Sequence, residues 1–173
     1  MSVTKSDIGM SPPGTSPETG KWPEFELGVT RFFGRGDLNS RYFDRGWAIP
    51  EENHSWNDGI DTSLILPLKS CPTKTCALKI KGIPYLTDNI RHQDMTLYVN
   101  GHRTGFWRLD ARQTYFLIAE IVPEFWFDRG GKGFAKCVWH IPGSARPSEI
   151  PGINDKRQLG FCFQEITLEI LSS

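Results

Sequence analysis

One segment, Gly46–Gly59, combines two tryptophans with acids, amides and a histidine just before an apolar run. The flat rings of Trp47 and Trp56 are suited to stacking on the apolar face of a pyranose, because contact removes apolar surface of both partners from water. The polar side chains of the segment can exchange hydrogen bonds with hydroxyl groups. These side chains are Glu51, Glu52, Asn53, His54, Asn57 and Asp58. The segment therefore suits a hydroxylated ligand such as a sugar.

A second interpretation of the same tryptophans is structural. Tryptophans beside a strand commonly close the end of a hydrophobic core, and this applies more to Trp47 than to Trp56, which lies deeper in the polar run. A packed or solvated imidazole is the default for each of the four histidines, and His54 alone lies inside the aromatic segment. The sequence leaves both interpretations open. The predicted ligand contacts are Trp47, Glu51, His54, Trp56, Asp58 and Arg157.

A late pair of charged residues, Asp155 and Arg157, could complete the same region. A guanidinium that meets a carboxylate with two parallel hydrogen bonds is firmly oriented. We therefore expect Arg157 to lock to an acid near the aromatic segment and to tie the end of the chain to Gly46–Gly59. Direct contact with a sugar is the alternative role of this arginine.

Catalysis has weaker support. Glu51, Glu52 and Asp58 could supply the two carboxylates of a glycosidase, but that chemistry needs a defined separation that a sequence does not give. No serine lies in a Gly-x-Ser-x-Gly elbow. The stretch Arg129–Gly133 lacks the Gly-Lys-Ser/Thr ending of a phosphate loop and is predicted to be a hairpin loop. We predict no catalytic residues.

The four cysteines give little support for a metal centre. Cys71 and Cys76 have the spacing of half a zinc site or of a small disulfide loop, yet no second close Cys or His pair follows. Cys137 and Cys162 lie in apolar strands, where a thiol packs as a small hydrophobe. We expect no metal and no cofactor.

Three adjacent aromatics indicate a contact surface. Phe125, Trp126 and Phe127 cannot all point inward from one strand, because neighbouring side chains alternate between its faces. Exposed aromatics of this kind mark protein interfaces. We predict Phe125, Trp126 and Phe127 as interface residues, with a homodimer as one outcome.

The charge balance argues against two classes of partner. Lys and Arg together number 20, as do Asp and Glu, so the chain has no net positive charge that would attract nucleic acid or an anionic membrane. Residues 1–21 are rich in Ser, Pro, Gly and Thr, without the apolar run of a signal peptide or membrane span. We expect a disordered leader over residues 1–21, one folded unit over residues 22–173, no membrane insertion and a cytoplasmic location.

The elements that must position these residues are strands. Short β-branched and aromatic segments recur between turn signals, and no long stretch keeps a helical period. Asn100-Gly101 suits a tight hairpin turn that puts Leu97 and Val99 on one face, and a phase change near Gln164 indicates a bulge. The pattern predicts about nine strands, at residues 25–33, 41–47, 62–68, 76–85, 95–100, 102–109, 114–121, 133–140 and 159–171. The expected fold is all-β, a two-layer antiparallel β-sandwich of jelly-roll type.

Several short motifs, taken in order, resemble those of an accessory β-sandwich domain found beside bacterial glycosyltransferases. They are Gly46-Trp47, Pro50-Glu51, Trp56-Asn57-Asp58-Gly59, Val99-Asn100-Gly101, Pro147-Ser148-Glu149 and Asp155-Lys156-Arg157-Gln158-Leu159-Gly160. The resemblance spans residues 32–168. It implies a jelly-roll-like sandwich that serves the synthesis of bacterial polysaccharides and glycoconjugates, and it implies no catalytic residues.

The residues and the resemblance together predict a non-catalytic module. Such a module binds or presents carbohydrate, or docks to a glycan-synthesising enzyme. Two alternatives stay open. One is a structural interaction module, as a homodimer or a docking subunit, and the other is a glycan-active enzyme.

Overall fold

The computed structural model describes residues 22–37 and 41–172, so the predicted leader over residues 1–21 lies outside the described residues. Eleven strands are found in the described part: β1 (Arg31–Phe32), β2 (Phe43–Arg45), β3 (Ser55–Trp56), β4 (Asp61–Leu68), β5 (Cys76–Pro84), β6 (Gln93–Val99), β7 (His102–Leu109), β8 (Tyr115–Ile121), β9 (Phe127–Arg129), β10 (Lys132–His140) and β11 (Phe161–Ile170). Single 3₁₀ turns lie at Pro123–Phe125 and Pro147–Glu149. No helix among these residues is long and apolar enough to cross a bilayer.

The all-β class is confirmed, with corrections to individual strands. The short strands β3 and β9 were not predicted, because two or three residues are too few to show the alternation of apolar and polar side chains that indicates a strand. The predicted first strand is reduced to Arg31–Phe32. Phe25, at its expected start, is nevertheless buried, and its N–H donates to the carbonyl oxygen of Pro67 (2.6 Å).

The strands form two antiparallel sheets that pack face to face. Sheet A has the order β1-β11-β5-β8, with β3 also paired to β11. Sheet B has the order β2-β4-β10-β6-β7, with β9 also paired to β10. Strands from the two ends of the chain are neighbours in both sheets, as in a jelly roll. The predicted two-layer sandwich is thereby confirmed.

The hydrophobic core fills the space between the sheets. Its largest fully buried side chains include Trp139 on β10 and Phe161 on β11. On β6, Leu97 and Val99 are buried and Tyr98 between them is only half-buried. This alternation confirms the predicted register of the hairpin, because a slip by one residue would turn both apolar side chains outward.

Two predicted irregularities are also confirmed. Asn100 and Gly101 connect β6 to β7 with φ values of 49° and 87°, the two positive values that a type I′ turn requires. The register of β11 against β5 shifts between Phe163 and Glu165. The extra residue lets Phe163 and Ile166 both face the core.

The glycine-rich stretch is the predicted hairpin loop. Arg129 on β9 is the cross-strand partner of Lys132 on β10. Gly130 and Gly131 between them both have positive φ, which suits a two-residue turn.

Candidate functional site

The segment Gly46–Gly59 folds back on itself at the rim of the sandwich, and we call it the aromatic hairpin. Its arms are joined by a bridge between Trp47 and Asn57 and by a hydrogen bond from Ala48 N to Trp56 O (3.0 Å). Side chains alternate along an extended arm. The bridged pair, Trp47 and Asn57, therefore faces inward, and Trp56 faces the outer surface of sheet A.

The aromatic hairpin starts with a glycine for a steric reason. Gly46 has a φ of 74°, and a Cβ at this position would overlap the carbonyl oxygen of Asp61 on β4. Only glycine fits here without a shift of the backbone. This close approach explains the first residue of the Gly46-Trp47 motif.

Trp47 lies against the core. Its ring is stacked on Phe43, with centroids 4.2 Å apart and planes 16° apart, and it meets Phe163 edge to face at 5.0 Å. Its Nε1 donates to the carbonyl oxygen of Ser63 (2.8 Å). The ring is partly buried and packs against the core. These contacts favour the core alternative for Trp47, and a ligand contact at this residue stays a prediction.

Trp56 is half-buried on the outer surface of sheet A, as the cross-strand partner of Cys162. The rings of His54 and Tyr85 stand nearly perpendicular to the indole, each with its centroid 6.2 Å away and an interplanar angle of 86°. Sequence reasoning missed Tyr85, because only the pairing of β5 with β11 brings it to the aromatic hairpin. The result is a group of three rings with one partly open indole.

Ionic contacts run beside Trp56. Arg157 donates to Asp155 from Nε (3.0 Å) and Nη2 (2.6 Å), and from Nη1 to Glu51 (3.1 Å). The second carboxylate oxygen of Glu51 lies 3.1 Å from Nε2 of His54. These contacts confirm that Arg157 locks to acids and ties the end of the chain to the aromatic hairpin. They also orient Glu51 and, through it, His54, whose ring meets the indole of Trp56 edge to face.

The protonation states follow from these contacts. Hydrogen bonds from Arg157 hold the pKa of the Asp155 carboxyl below its usual value, and the same pair raises the pKa of Arg157. Burial, followed by the carboxylates of Asp155 and Glu149, raises the pKa of Tyr85. The site thus holds an ionised carboxylate–guanidinium pair and a neutral phenol at physiological pH, so it contains both hydrogen-bond donors and acceptors.

Asn57 and Asp58 bind the aromatic hairpin to the start of β11. The buried Asn57 Oδ1 accepts hydrogen bonds from the backbone N–H groups of Gly160 (2.9 Å) and Phe161 (2.7 Å). Asp58 Oδ1 accepts from Gln158 N (2.8 Å). The Trp-Asn-Asp-Gly and Gln-Leu-Gly motifs are therefore one hydrogen-bonded unit. The ligand contact of the exposed Asp58 stays a prediction.

A groove of about 570 Å³ lies beside His54 on the outer surface of sheet A. Its walls combine one exposed aromatic with cationic, acidic and amide groups, a composition that suits a ligand with many hydroxyls. His54 belongs both to this groove and to the ring group at Trp56. Residues of the groove include Phe32, Arg35, Asn53, His54, Lys81 and Gln164.

The cysteines do not take part in this site. All four are free thiols, including the closely spaced Cys71 and Cys76. Burial, followed by the Glu51 carboxylate, raises the pKa of Cys162 to about 12, so this thiol is neutral and unreactive at physiological pH. Over residues 22–37 and 41–172, no group of three or more His, Cys, Asp or Glu could hold a metal ion.

The aromatic run Phe125–Phe127 differs from the predicted interface. Trp126 is 5% exposed and belongs to the core. Phe125 is partly buried and stacks on His102, with centroids 4.2 Å apart. Trp126 is thus corrected to a core residue, because the 3₁₀ turn before β9 changes the phase of the side chains. Phe127 remains 49% exposed.

No protein-family model matches the chain, and no curated protein matches its sequence. Among solved structures it resembles a family GH115 4-O-methyl-α-glucuronidase, BtGH115A, with specificity for decorated arabinogalactans; identity is 10% and the TM-score 0.49, over 92% of this chain and 19% of that one. It also resembles a Podospora anserina GH26-CBM35 β-(1,4)-mannanase, at 10% identity and a TM-score of 0.49, over 84% of this chain and 28% of that one.

A third resemblance is to the CBM36-1 domain of a multidomain xylanase from the hindgut metagenome of Trinervitermes trinervoides. Identity is 7% and the TM-score 0.44, over 84% of this chain and 98% of that domain. The chain spans 19% and 28% of the first two proteins. With TM-scores below 0.5, these likenesses do not bear on the function of the chain.

Proposed function

We propose that the protein is a non-catalytic carbohydrate-binding module whose ligand lies against Trp56 and the groove beside His54. One observation carries the proposal. A partly open indole stands on the outer surface of sheet A beside His54, whose ring is held by Glu51, which Arg157 in turn holds. An oriented aromatic with oriented polar neighbours is what recognition of a pyranose requires.

The site would divide recognition between two kinds of contact. Trp56 would stack on the apolar face of one sugar ring, which buries apolar area. Glu51 would accept hydrogen bonds from hydroxyl groups, and His54 would exchange them. A site built to pair a hydroxyl rejects a sugar that lacks it, because the protein group is then left unpaired. Arg157, already bonded to two carboxylates, would act mainly by holding Glu51.

The first test compares aromatics on the outer surfaces of the two sheets. Trp56→Ala should weaken binding in a glycan array and in calorimetric titration of its best ligand by about tenfold or more, equivalent to about 1.4 kcal/mol. Phe106→Ala is the matched control, since Phe106 is 47% exposed on β7 in sheet B. Equal binding by the wild type and the folded Trp56→Ala variant would refute the site.

The second test addresses catalysis. We expect wild-type protein to bind oligosaccharides without hydrolysis or transfer, and Glu51→Gln to weaken binding only. Chromatography of the sugars after long incubation checks this. Product formation that Glu51→Gln abolishes would replace the proposed module with an enzyme.

We further propose that the module serves a glycosyltransferase in bacterial polysaccharide or glycoconjugate synthesis in the cytoplasm. Support comes from the ordered motifs, whose residues Asn57 and Arg157 hold the aromatic hairpin in its position. Neighbouring genes should then encode glycosyltransferases, and deletion of this gene should change the amount or composition of surface polysaccharide. Unchanged polysaccharide in the deletion strain would contradict this context and leave sugar binding to its own test.

A further inference from the structure

Strand β8 forms an open edge of sheet A. It pairs with β5 along its whole length, from Tyr115 opposite Gly82 to Ile121 opposite Cys76. On its other side, no residue of the described ranges pairs with it or makes a backbone hydrogen bond to it. An edge of this kind presents a row of N–H and C=O groups to any strand that can lie alongside.

β8 lacks the features that normally protect an edge. It has no proline, no lysine and no bulge in its register with β5, and Glu120 is its one charged residue. Phe116 and Ile118 are 73% and 57% exposed on the outer surface. The remaining edges differ, since β1 and β2 have two and three residues and β7 carries exposed His102 and arginines. The long apolar edge of the described part is therefore β8.

We infer that β8 pairs antiparallel with β8 of a second copy, so that two A sheets become one continuous sheet. A two-fold axis normal to the sheet keeps the outer surfaces of both copies on the same side. Outward-facing residues of one β8 must therefore lie opposite outward-facing residues of the other, and inward-facing ones opposite inward-facing ones. If the axis passes between the two copies of Leu117, Phe116 of each copy lies opposite Ile118 of the other, so this aromatic–aliphatic pair occurs twice. An axis at Ile118 would instead oppose Phe116 to the partner's Glu120.

The strand is complementary to itself in the register centred on Leu117. Aromatic and β-branched pairs are the favourable cross-strand neighbours on an exposed face, and Phe116 and Ile118 form two of them. On the inner face, Tyr115 meets the small side chain of the partner's Ala119. At each end, the hydroxyl of Thr114 lies opposite the partner's Glu120 carboxylate. In this register residues 115–119 of the two strands pair directly with each other, and Glu120 lies opposite Thr114 just before the partner strand. A second copy therefore complements this edge in a way that an arbitrary peptide would not.

Pairing through β8 would also duplicate the proposed sugar site, a consequence that rests on the proposed function. Trp56 lies on β3, and the order β3-β11-β5-β8 separates it from the edge by three strand spacings. Seven spacings of about 4.8 Å separate the two Trp56 sites by roughly 34 Å across the strands. Trp56 is level with Thr114, three residues from the axis, so the sites are also offset by about 20 Å along the strands and lie roughly 39 Å apart on one surface. A long polysaccharide could bridge both sites and bind more tightly than an oligosaccharide.

The first experiment measures mass in solution. Light scattering coupled to size exclusion, over a concentration series, should show a monomer–dimer equilibrium for the wild type. Ile118→Lys should shift it to monomer by tenfold or more, because it places two like charges in the interface. Phe127→Lys, at another exposed aromatic, should leave the equilibrium unchanged. A wild type that is monomeric throughout, or a dimer that Ile118→Lys preserves, would overturn the inference.

The second experiment tests the register. Thr114→Arg places a guanidinium opposite the partner's Glu120, so it should tighten the dimer severalfold at low salt, and Thr114→Arg with Glu120→Arg should reverse the gain. No change in either variant would refute the register centred on Leu117. Circular dichroism and thermal melting confirm that the variants fold, since all three positions are exposed.

The third experiment separates the dimer from the sugar proposal. Ile118→Lys should bind a short oligosaccharide like the wild type and a long polysaccharide more weakly. Equal polysaccharide binding would refute bridging. A dimer that Ile118→Lys dissociates but that binds no glycan at all would refute the proposed function and leave the pairing of β8 supported.

Discussion

The two arms of the aromatic hairpin each carry a tryptophan, and the two indoles lie on opposite faces. Trp47 on the first arm is packed against Phe43 and Phe163 and has its indole N–H bonded to Ser63. Trp56 on the second arm faces the outer surface and has rings only at right angles to it. The difference arises because Trp47 is bridged to Asn57 and not to Trp56, so alternation sends the two indoles to opposite sides.

Residue type alone does not decide whether a tryptophan serves the core or a ligand. The backbone contacts that join the two arms let the packed arm with Trp47 support the arm with Trp56. If this is correct, changes on the inner side should lower the free energy of unfolding, and changes on the outer side should lower ligand affinity.

The largest effect is expected for the inner tryptophan. Trp47→Ala should lower the free energy of unfolding by about 3–5 kcal/mol, because it leaves a cavity beside Phe163 and removes the indole hydrogen bond to the carbonyl oxygen of Ser63. Urea denaturation measures this loss. Trp47→Phe keeps a ring and should lose less. A loss under about 1 kcal/mol for the alanine variant would contradict the core position.

The bridge partner should come next. Asn57→Ala removes the acceptor for the N–H groups of Gly160 and Phe161, which are buried. We expect a loss of about 2–4 kcal/mol in the free energy of unfolding and a weaker ligand affinity as the aromatic hairpin loosens. Urea denaturation and titration check the two effects. Asp58→Ala, which removes an acceptor from an exposed position, is the milder control.

The outer tryptophan should behave in the opposite way. Trp56→Ala should lower the free energy of unfolding by only about 1 kcal/mol, because the indole lies on the outer surface and meets its neighbouring rings only edge to face. Its loss of ligand affinity should be the larger effect. A loss of stability as large as that of Trp47→Ala would remove the distinction between the two arms.

The smallest effect on stability is expected at the partly buried ion pair of Arg157 and Asp155, and it should depend on pH. Asp155 has a lowered pKa in the folded protein, so its contribution to stability is present above its unfolded pKa and is lost as the pH falls through the folded value. Arg157→Met should lose about 1 kcal/mol or less at pH 7. The gap between wild type and variant should narrow below about pH 4.

Urea denaturation at pH 7 and pH 3 checks this prediction, with Arg112→Met as the control at a pair between two exposed residues. A gap that widens in acid would show that Asp155 is not held ionised by Arg157.

Local patterns determined much of the fold. Alternation on β6, the Asn100-Gly101 turn and the bulge after Phe163 were all predictable, because each depends on neighbours within a few residues. The lock between Arg157 and nearby acids was also predicted from residue chemistry. Short pairings such as β3 escaped prediction, since their partners lie far away in the chain.

The sequence by itself placed two tryptophans in one polar segment and favoured strands around it. The inward packing of Trp47, the contact of Tyr85 with Trp56 and the open edge at β8 follow from the three-dimensional arrangement of the strands. Backbone pairing between distant strands settles these points, because it fixes which face each side chain occupies and which edge stays unpaired. That information is absent from the local pattern of residues.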